Sequence, residues 1–349
     1  MKALVVTPFT PLSKNLASHR SAQGAIYADQ LEFSGINVDL AMTGNIPDDY
    51  NEYDALYVYH GNDWGGTLNM FGGVKNYANI DSVIKMSKFK KRVYSIGIEY
   101  PDYHGMLRER LDRTPDAHPD WNLVDWEGLN IVKHRSTVIR PNDLFHDYPC
   151  ISVGDSHAIC LYRPGWLNVS VPFKTLHGAL SAGLESFLPK DQKFTEIDFY
   201  FGNIDIRHHL CRFPDPIAST LKLVTAYVRH ANMLAEKYDA IVNLYEPLPI
   251  ENESRKIPQT GYYKGKPFHG TWAERESVRL WFRSHLEIEA ANTKRVFIKR
   301  WVDGLKNEAG ELDFKYMEKP QSVHLSREYY PYWQGLKWNG ISSLKGFME

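Results

Sequence analysis

Cysteine is scarce in this chain: three among 349 residues, Cys150, Cys160 and Cys211. An odd number without metal-site spacing fits a reducing compartment better than a disulfide framework. Long apolar runs are missing as well. No stretch reaches the roughly 18 residues of a membrane span. The opening "MKALVVTPFTPL" has neither an apolar h-region nor a small-residue cleavage site, so no signal peptide is predicted. The expectation is a cytoplasmic chain with no membrane partner. Neither sign of charge is in excess: 41 Lys and Arg against 42 Asp and Glu give −1, with 14 histidines uncounted. That excludes a global basic field for nucleic acid and leaves room only for a local patch. There is no G-x-G-x-x-G fingerprint, no P-loop, no internal repeat and no low-complexity tract, so no cofactor is expected.

What the chain does have is alternation. "KALVVT", "NVDLAM", "DALYVYHG" and "RVYSIGIE" read as buried strands, with "SAQGAIYADQLEFSGI" and "IDSVIKMSKFK" as helices between them. Residues 101–145, rich in Pro, Asp, His and Trp, read as irregular and place a domain boundary near 135–147. A second alternation follows: strand 150–154, "LNVSVPF", a helix near 175–187, "EIDFYFG", a long helix near 214–237, "AIVNLYEPL", a helix near 272–292 and "RVFIKRW". Buried strands separated by helices imply parallel sheets. The predicted fold class is α/β, two tandem Rossmann-like or flavodoxin-like domains over 1–140 and 148–349. At 349 residues, two hydrophobic cores are the natural division. The helix "TWAERESVRLWFRSHL" reads as ordinary amphipathic packing, charges on one face and apolar residues on the other.

Ligands of parallel sheets sit beyond the carboxyl ends of the strands, and polar residues gather there in the second half. "CISVGDSH" ends a strand in Gly154, Asp155, Ser156 and His157. A serine there has an exposed hydroxyl, and the turn supplies backbone amides for an oxyanion. Alone, Gly-Asp-Ser is also what an ordinary turn uses. "FYFGNIDIRHHL" ends another strand in Gly202, Asn203 and Asp205, with Arg207, His208 and His209 behind, and "SVHLS" carries His324. Adjacent histidines point to different faces, so no metal site is expected at "IRHHLCR". Arg207 is open to two readings, a buried pair that holds the loop or a substrate contact.

Those three blocks, in that order, resemble the SGNH, or GDSL-like, hydrolases over residues 148–349. "GDSH" matches the first block, a glycine of "LHGALSAG" (Gly178 or Gly183) the second, "FGNIDIR" the third and "SVHLS" the last. The resemblance implies a flavodoxin-like sheet with Ser156 as nucleophile and His324 as general base. Oxyanion or substrate donors would come from the Ser156 backbone, Gly154, a second-block glycine such as Gly178, and the stretch around Gly202, Asn203, Asp205 and Arg207. Two departures stand out. The family's Asp three residues before the histidine is Gln321, and its oxyanion Asn falls at Ile204. Asp155, counted with the catalytic set, adjoins the nucleophile and cannot simply replace that acid; Asp205 and Asp313 are the alternatives.

In the first half, the Gly-rich loop "YHGNDWGGTLNMFGG", with Gly72 and Gly73, follows a strand, and "YSIGIEY" ends another in Glu99. A strand-end carboxylate can deprotonate a hydroxyl or cap a turn. Residues 53–103 resemble the N-terminal domain of the DNA β-glucosyltransferases of T-even phages. By that resemblance Glu99 takes the place of the catalytic aspartate, and a phage origin and a nucleotide, sugar or hydroxymethylated-base acceptor follow.

Three functions are therefore in view. The leading expectation is a Ser-His hydrolase or group transferase acting on an ester-like or sugar/nucleotide-like substrate. The second is a phage DNA-modifying transferase with Glu99 as general base and Lys85, Lys88, Lys90, Lys91 and Arg92 on phosphates, although that cluster reads better as a solvated helix face. The third is a catalytically degenerate binding module. The partners expected are a small molecule, a sugar nucleotide or modified DNA.

Overall fold

A computed structural model describes residues 1–7, 19–42, 46–59, 85–97, 108, 125–139, 147–171, 173–254, 265, 268–318, 323–326 and 329–332. The chain divides into two compact units, one built on Met1–Phe145 and one spanning His146–Gln334. Each has a five-stranded parallel sheet, so the fold is α/β with two Rossmann-like or flavodoxin-like units in tandem.

In the first unit, β1 (Lys2–Thr7), β2 (Asn37–Met42), β3 (Ala55–Tyr59), β4 (Arg92–Ile96) and β5 (Thr137–Ile139) run in the order β2-β1-β3-β4-β5. Ala3–Thr7 and all of β3 are buried, as central parallel strands covered on both faces must be. Helix α1 (His19–Phe33) packs so closely that a Cβ at Gly24 would lie 2.0 Å from the Thr7 hydroxyl. Part of the segment read as irregular is ordered: α2 (Trp126–Arg135) leads into β5, which extends the sheet edge beside β4. Arg135 donates from its guanidinium to the Phe89 and Lys90 carbonyls, which ties α2 to the turn before β4.

The second unit repeats the strand order. Strands β6 (Cys150–Gly154), β7 (Leu167–Ser170), β8 (Glu196–Tyr200), β9 (Ile241–Tyr245) and β10 (Val296–Lys299) lie as β10-β9-β8-β6-β7. The chain leaves β6 for β7 on one side and returns to β8 on the other. The crevice beyond the carboxyl ends of β6 and β8 is therefore the topological switch point, where open parallel sheets bind ligands. Helices α3 (Leu176–Ala182), α4 (Pro216–Tyr238) and α5 (Trp272–Ala290) follow β7, β8 and β9. Pro216 at the start of α4 behind the Asp215 cap, and the Thr271–Glu274 capping box of α5, fix both helix starts. Gly183 (φ +82°) separates α3 from a 3₁₀ turn at Leu184–Phe187, where one longer helix was expected.

Helix α5 differs from its sequence reading. Arg275 and Arg279 are fully buried, while Trp281 and Ile288 are exposed. Arg279 donates to Glu276 (2.7 Å) and to the fully buried Glu246 just past β9 (2.8 Å). Arg279 faces inward beside the buried Val278, Phe282 and Leu286 because the strand end supplies a buried carboxylate to meet it, which helix periodicity alone does not reveal. Among the described residues no helix is long and apolar enough to cross a membrane, and Cys150, Cys160 and Cys211 are all free thiols.

Removing one partner of such a buried pair leaves an uncompensated charge, at a cost of about 3–5 kcal/mol. Arg279→Met is expected to lower the melting temperature by roughly 10 °C, read by calorimetry, at about 2–4 °C per kcal/mol for a unit of this size.

Candidate active site

Residues 155–158 form a tight turn directly after β6, closed by the Ala158 N–H to the Asp155 carbonyl (3.0 Å). Gly154 is required at its entrance: a Cβ there would lie 2.1 Å from the Tyr200 carbonyl oxygen on β8. The same oxygen accepts the Asp155 N–H (3.1 Å). Ser156 is the first central residue of the turn, and among the described residues its amide has no acceptor. Its hydroxyl lies 2.9 Å from Nε2 of His324, 168 residues away in sequence.

His324 sits in a short antiparallel pairing. Met317 bridges Leu325, and the Glu318 N–H donates to the His324 carbonyl (3.0 Å), so Glu318 lies directly opposite His324. Directly opposed side chains share a face, and the Glu318 carboxylate reaches 3.8 Å from Nδ1 of His324. That is long for a hydrogen bond and short for an electrostatic contact. A carboxylate on that side favours the proton on Nδ1, which leaves Nε2 to accept the Ser156 hydroxyl proton. Sequence reading missed Glu318 because it looked for the acid at a motif spacing. The available signal was an acid and a histidine placed symmetrically about the stretch "KPQSV".

His157 was missed as well. Its backbone N–H and its Nδ1 both lie 2.8 Å from Oδ1 of the fully buried Asp155. Its ring stacks on His324, centroids 4.8 Å apart and planes 28° apart. Asp155 thus bonds to His157 rather than to His324, and it is not the acid on Nδ1.

The other expected donors are engaged elsewhere. The Gly178 amide donates to the Thr175 cap of α3 (2.9 Å) and the Gly183 amide to the Leu180 carbonyl (3.1 Å), so neither is an open oxyanion donor. Asp205 accepts from the Leu176 and His177 amides (2.6 and 3.2 Å) at the start of α3. Burial pushes its carboxyl up to about 6, the two amides oppose this, and the charge of nearby Asp155 adds to it. Asp205 is thereby a structural cap and not the partner of His324. Asp313 caps its own 3₁₀ turn through the Lys315 amide (3.0 Å). Asn203 Oδ1 accepts from the Leu248 amide (3.0 Å) and from Arg207 (3.2 Å). Arg207 is buried on Glu251 (2.8 Å) and the Pro249 carbonyl (2.9 Å), so the carboxylate it pairs with is Glu251 and not Asp205. Gly202 adopts φ +106° against the Phe282 ring, which fixes the loop path.

A cleft of about 560 Å³ opens at α3 and α4, lined by His177, Asp205, His209, Phe213 and Lys222 among others. Burial, and then Arg212 and His177, hold His209 below its ordinary range. Neither Ser156 nor His324 lines this cleft, so it is not by itself the site of their chemistry. Among the described residues no three His, Cys, Asp or Glu side chains gather as a metal ligand set.

In the first unit, Glu99, Gly72 and Gly73 lie outside the described residues, as does Gln321 of the second. The basic cluster is not one helix face: Lys90 and Lys91 follow the helical turn and Arg92 opens β4. Lys85 pairs with Asp48 (2.9 Å), and Lys91 donates to the Asn51 carbonyl (3.0 Å).

No protein-family model matches the chain, and no curated protein matches it. Solved structures do resemble it. A Streptococcus pneumonia protein provisionally described as a platelet activating factor is 21% identical, with TM-score 0.38 over 58% of this chain and 85% of its own. A Bacteroides fragilis NCTC 9343 protein provisionally described as an acylhydrolase is 13% identical, with TM-score 0.38 over 58% and 89%. Likeness at that level assigns no function, so the chemistry has to be read from this chain's own side chains.

The Asp205 carboxyl supplies a sign-definite test. Its folded value lies above its ordinary one, so between about pH 4 and 6 the unfolded chain releases a proton that the folded chain keeps. Stability relative to Asp205→Asn is expected to fall as pH rises through that window, by roughly 3 kcal/mol at most, and to level off above it. Urea unfolding at several pH values measures the difference.

Proposed function

We propose that the second unit is a serine hydrolase of the SGNH type, acting on an ester-like bond. The observation that carries this reading is the 2.9 Å approach of His324 Nε2 to the Ser156 hydroxyl at the switch point of the sheet. Nucleophile and base within hydrogen-bond reach, with the base oriented by a third group, define this chemistry irrespective of fold.

In the proposed reaction Ser156 Oγ attacks the carbonyl carbon and its proton passes to His324 Nε2. The developing oxyanion is met by the Ser156 amide, which the turn leaves without an internal acceptor. His324 then gives the proton to the leaving alcohol, and water repeats the cycle on the acyl-enzyme. Glu318 holds His324 in the tautomer with Nδ1 protonated. That gives the site an acid although Gln321 stands at the usual position. The alternative of a degenerate binding module predicts no covalent chemistry at Ser156, so one experiment separates the two.

A fluorophosphonate probe, with labelling mapped by peptide mass spectrometry, is expected to modify Ser156. Ser156→Ala should abolish both labelling and the hydrolysis of short-chain p-nitrophenyl esters. Glu318→Gln should slow both by about ten- to a hundredfold, less than the loss of the base itself. Unmodified Ser156 in the folded protein would leave the binding-module reading standing instead.

A further inference from the structure

His157 is a buried imidazole with an unusual set of contacts. Its Nδ1 is bound to Asp155, and among the described residues its Nε2 has no hydrogen-bond partner. Its one hydrogen-bonded nitrogen ties the ring to Asp155. What it offers is a face, and that face lies on His324. A ring anchored at one nitrogen to a buried carboxylate cannot rotate away, and it limits the plane His324 can take.

Resting on the Ser156–His324 reading above, we infer that the Asp155–His157 pair is a positioning element that fixes the His324 ring and stabilises the imidazolium formed when His324 takes the Ser156 proton. The balance is simple: Ser156 Oγ–H breaks, a proton and its positive charge appear on His324, and Oγ forms its bond to the substrate. The His157 ring presents its face to the new cation at 4.8 Å, and the buried Asp155 carboxylate, bonded at Nδ1 of that ring, places a negative charge behind it. Among the described residues, the groups facing His324 include Ser156, Glu318 at Nδ1 and His157 at the face. Those facing His157 are Asp155, His324 and, edge-on at 6.5 Å, Tyr200.

Three variants and two readouts test this. His157→Ala removes face and tether, His157→Phe restores a face without the tether, and Asp155→Asn removes the charge while keeping an acceptor for the turn. The first readout is the rate of Ser156 labelling by a fluorophosphonate. About a tenfold loss is expected in His157→Ala, with part of it recovered in His157→Phe. The second is the His324 titration midpoint by NMR in protein whose circular dichroism is unchanged. It is expected to move down by about half a pH unit in Asp155→Asn, because the carboxylate favours the cation. Wild-type labelling in His157→Ala, or an unmoved midpoint in Asp155→Asn, overturns the inference. A wild-type protein whose Ser156 does not label fails the hydrolase reading instead. The midpoint, which needs no turnover, still decides whether Asp155 acts on His324.

Discussion

A methyl group at residue 154 would sit 2.1 Å from the Tyr200 carbonyl oxygen, and the local architecture of the second unit follows from that exclusion. Because nothing but hydrogen occupies the space, the ends of β6 and β8 close on each other and Asp155 donates to the Tyr200 carbonyl. The other neighbour closes in as well: the Val171 amide donates to the Gly154 carbonyl (2.8 Å), and the Ser170 hydroxyl to the Asp155 carbonyl (3.1 Å). Three strand ends therefore hold one four-residue turn. With its flanks fixed from both sides, the turn has little choice about where the Ser156 hydroxyl and amide lie. A reactive group at this site gains its precision from regular strands rather than from a loop.

The next tier of the structure is electrostatic. Arg207 on Glu251 and Arg279 on Glu246 and Glu276 bring the segment after β9 against the 205–209 turn and α5. Buried ion pairs give little net stability against an apolar alternative, but they penalise any arrangement that leaves one charge alone. Here they specify the path of residues 246–251. Asn203 is drawn into the same lock through Arg207 and the Leu248 amide. That explains why a residue next to the expected oxyanion position contributes its carbonyl oxygen to scaffolding.

Legibility in the sequence tracked burial. Strands buried on both faces read as short apolar runs, and "KALVVT", "CISVG" and "EIDFY" were recognised for that reason. The elements missed were α2 and β5. Strand β5 is three residues long and exposed at Thr137 and Val138, and an edge strand so short has no pattern to read. Helix α5 was found with Val278, Phe282 and Leu286 on its buried face, but the burial of Arg275 and Arg279 beside them was not, because a charged residue meets a buried partner only through tertiary structure. At the site, Ser156 and His324 were legible because they stand in short blocks, whereas Glu318 is brought in by strand register and His157 by ring stacking. Neither relation has a fixed sequence spacing.

That distinction bears on what a substituted acid means. An orienting carboxylate acts through its position relative to the imidazole, not through its distance along the chain. Gln321 therefore removes an acid from one sequence position without removing it from the ring of His324, which Glu318 approaches at its Nδ1 edge and His157 covers on one face. The two contacts constrain different freedoms. A carboxylate at the edge selects the tautomer and rotation about the ring axis, while a stacked ring selects the plane. With Ser156 on Nε2, each remaining freedom of the imidazole is met by a side chain anchored in secondary structure or in a buried turn. A turn that merely stopped a strand would need none of these contacts, and their convergence on one ring is why the Ser-His reading is preferred to the bland one.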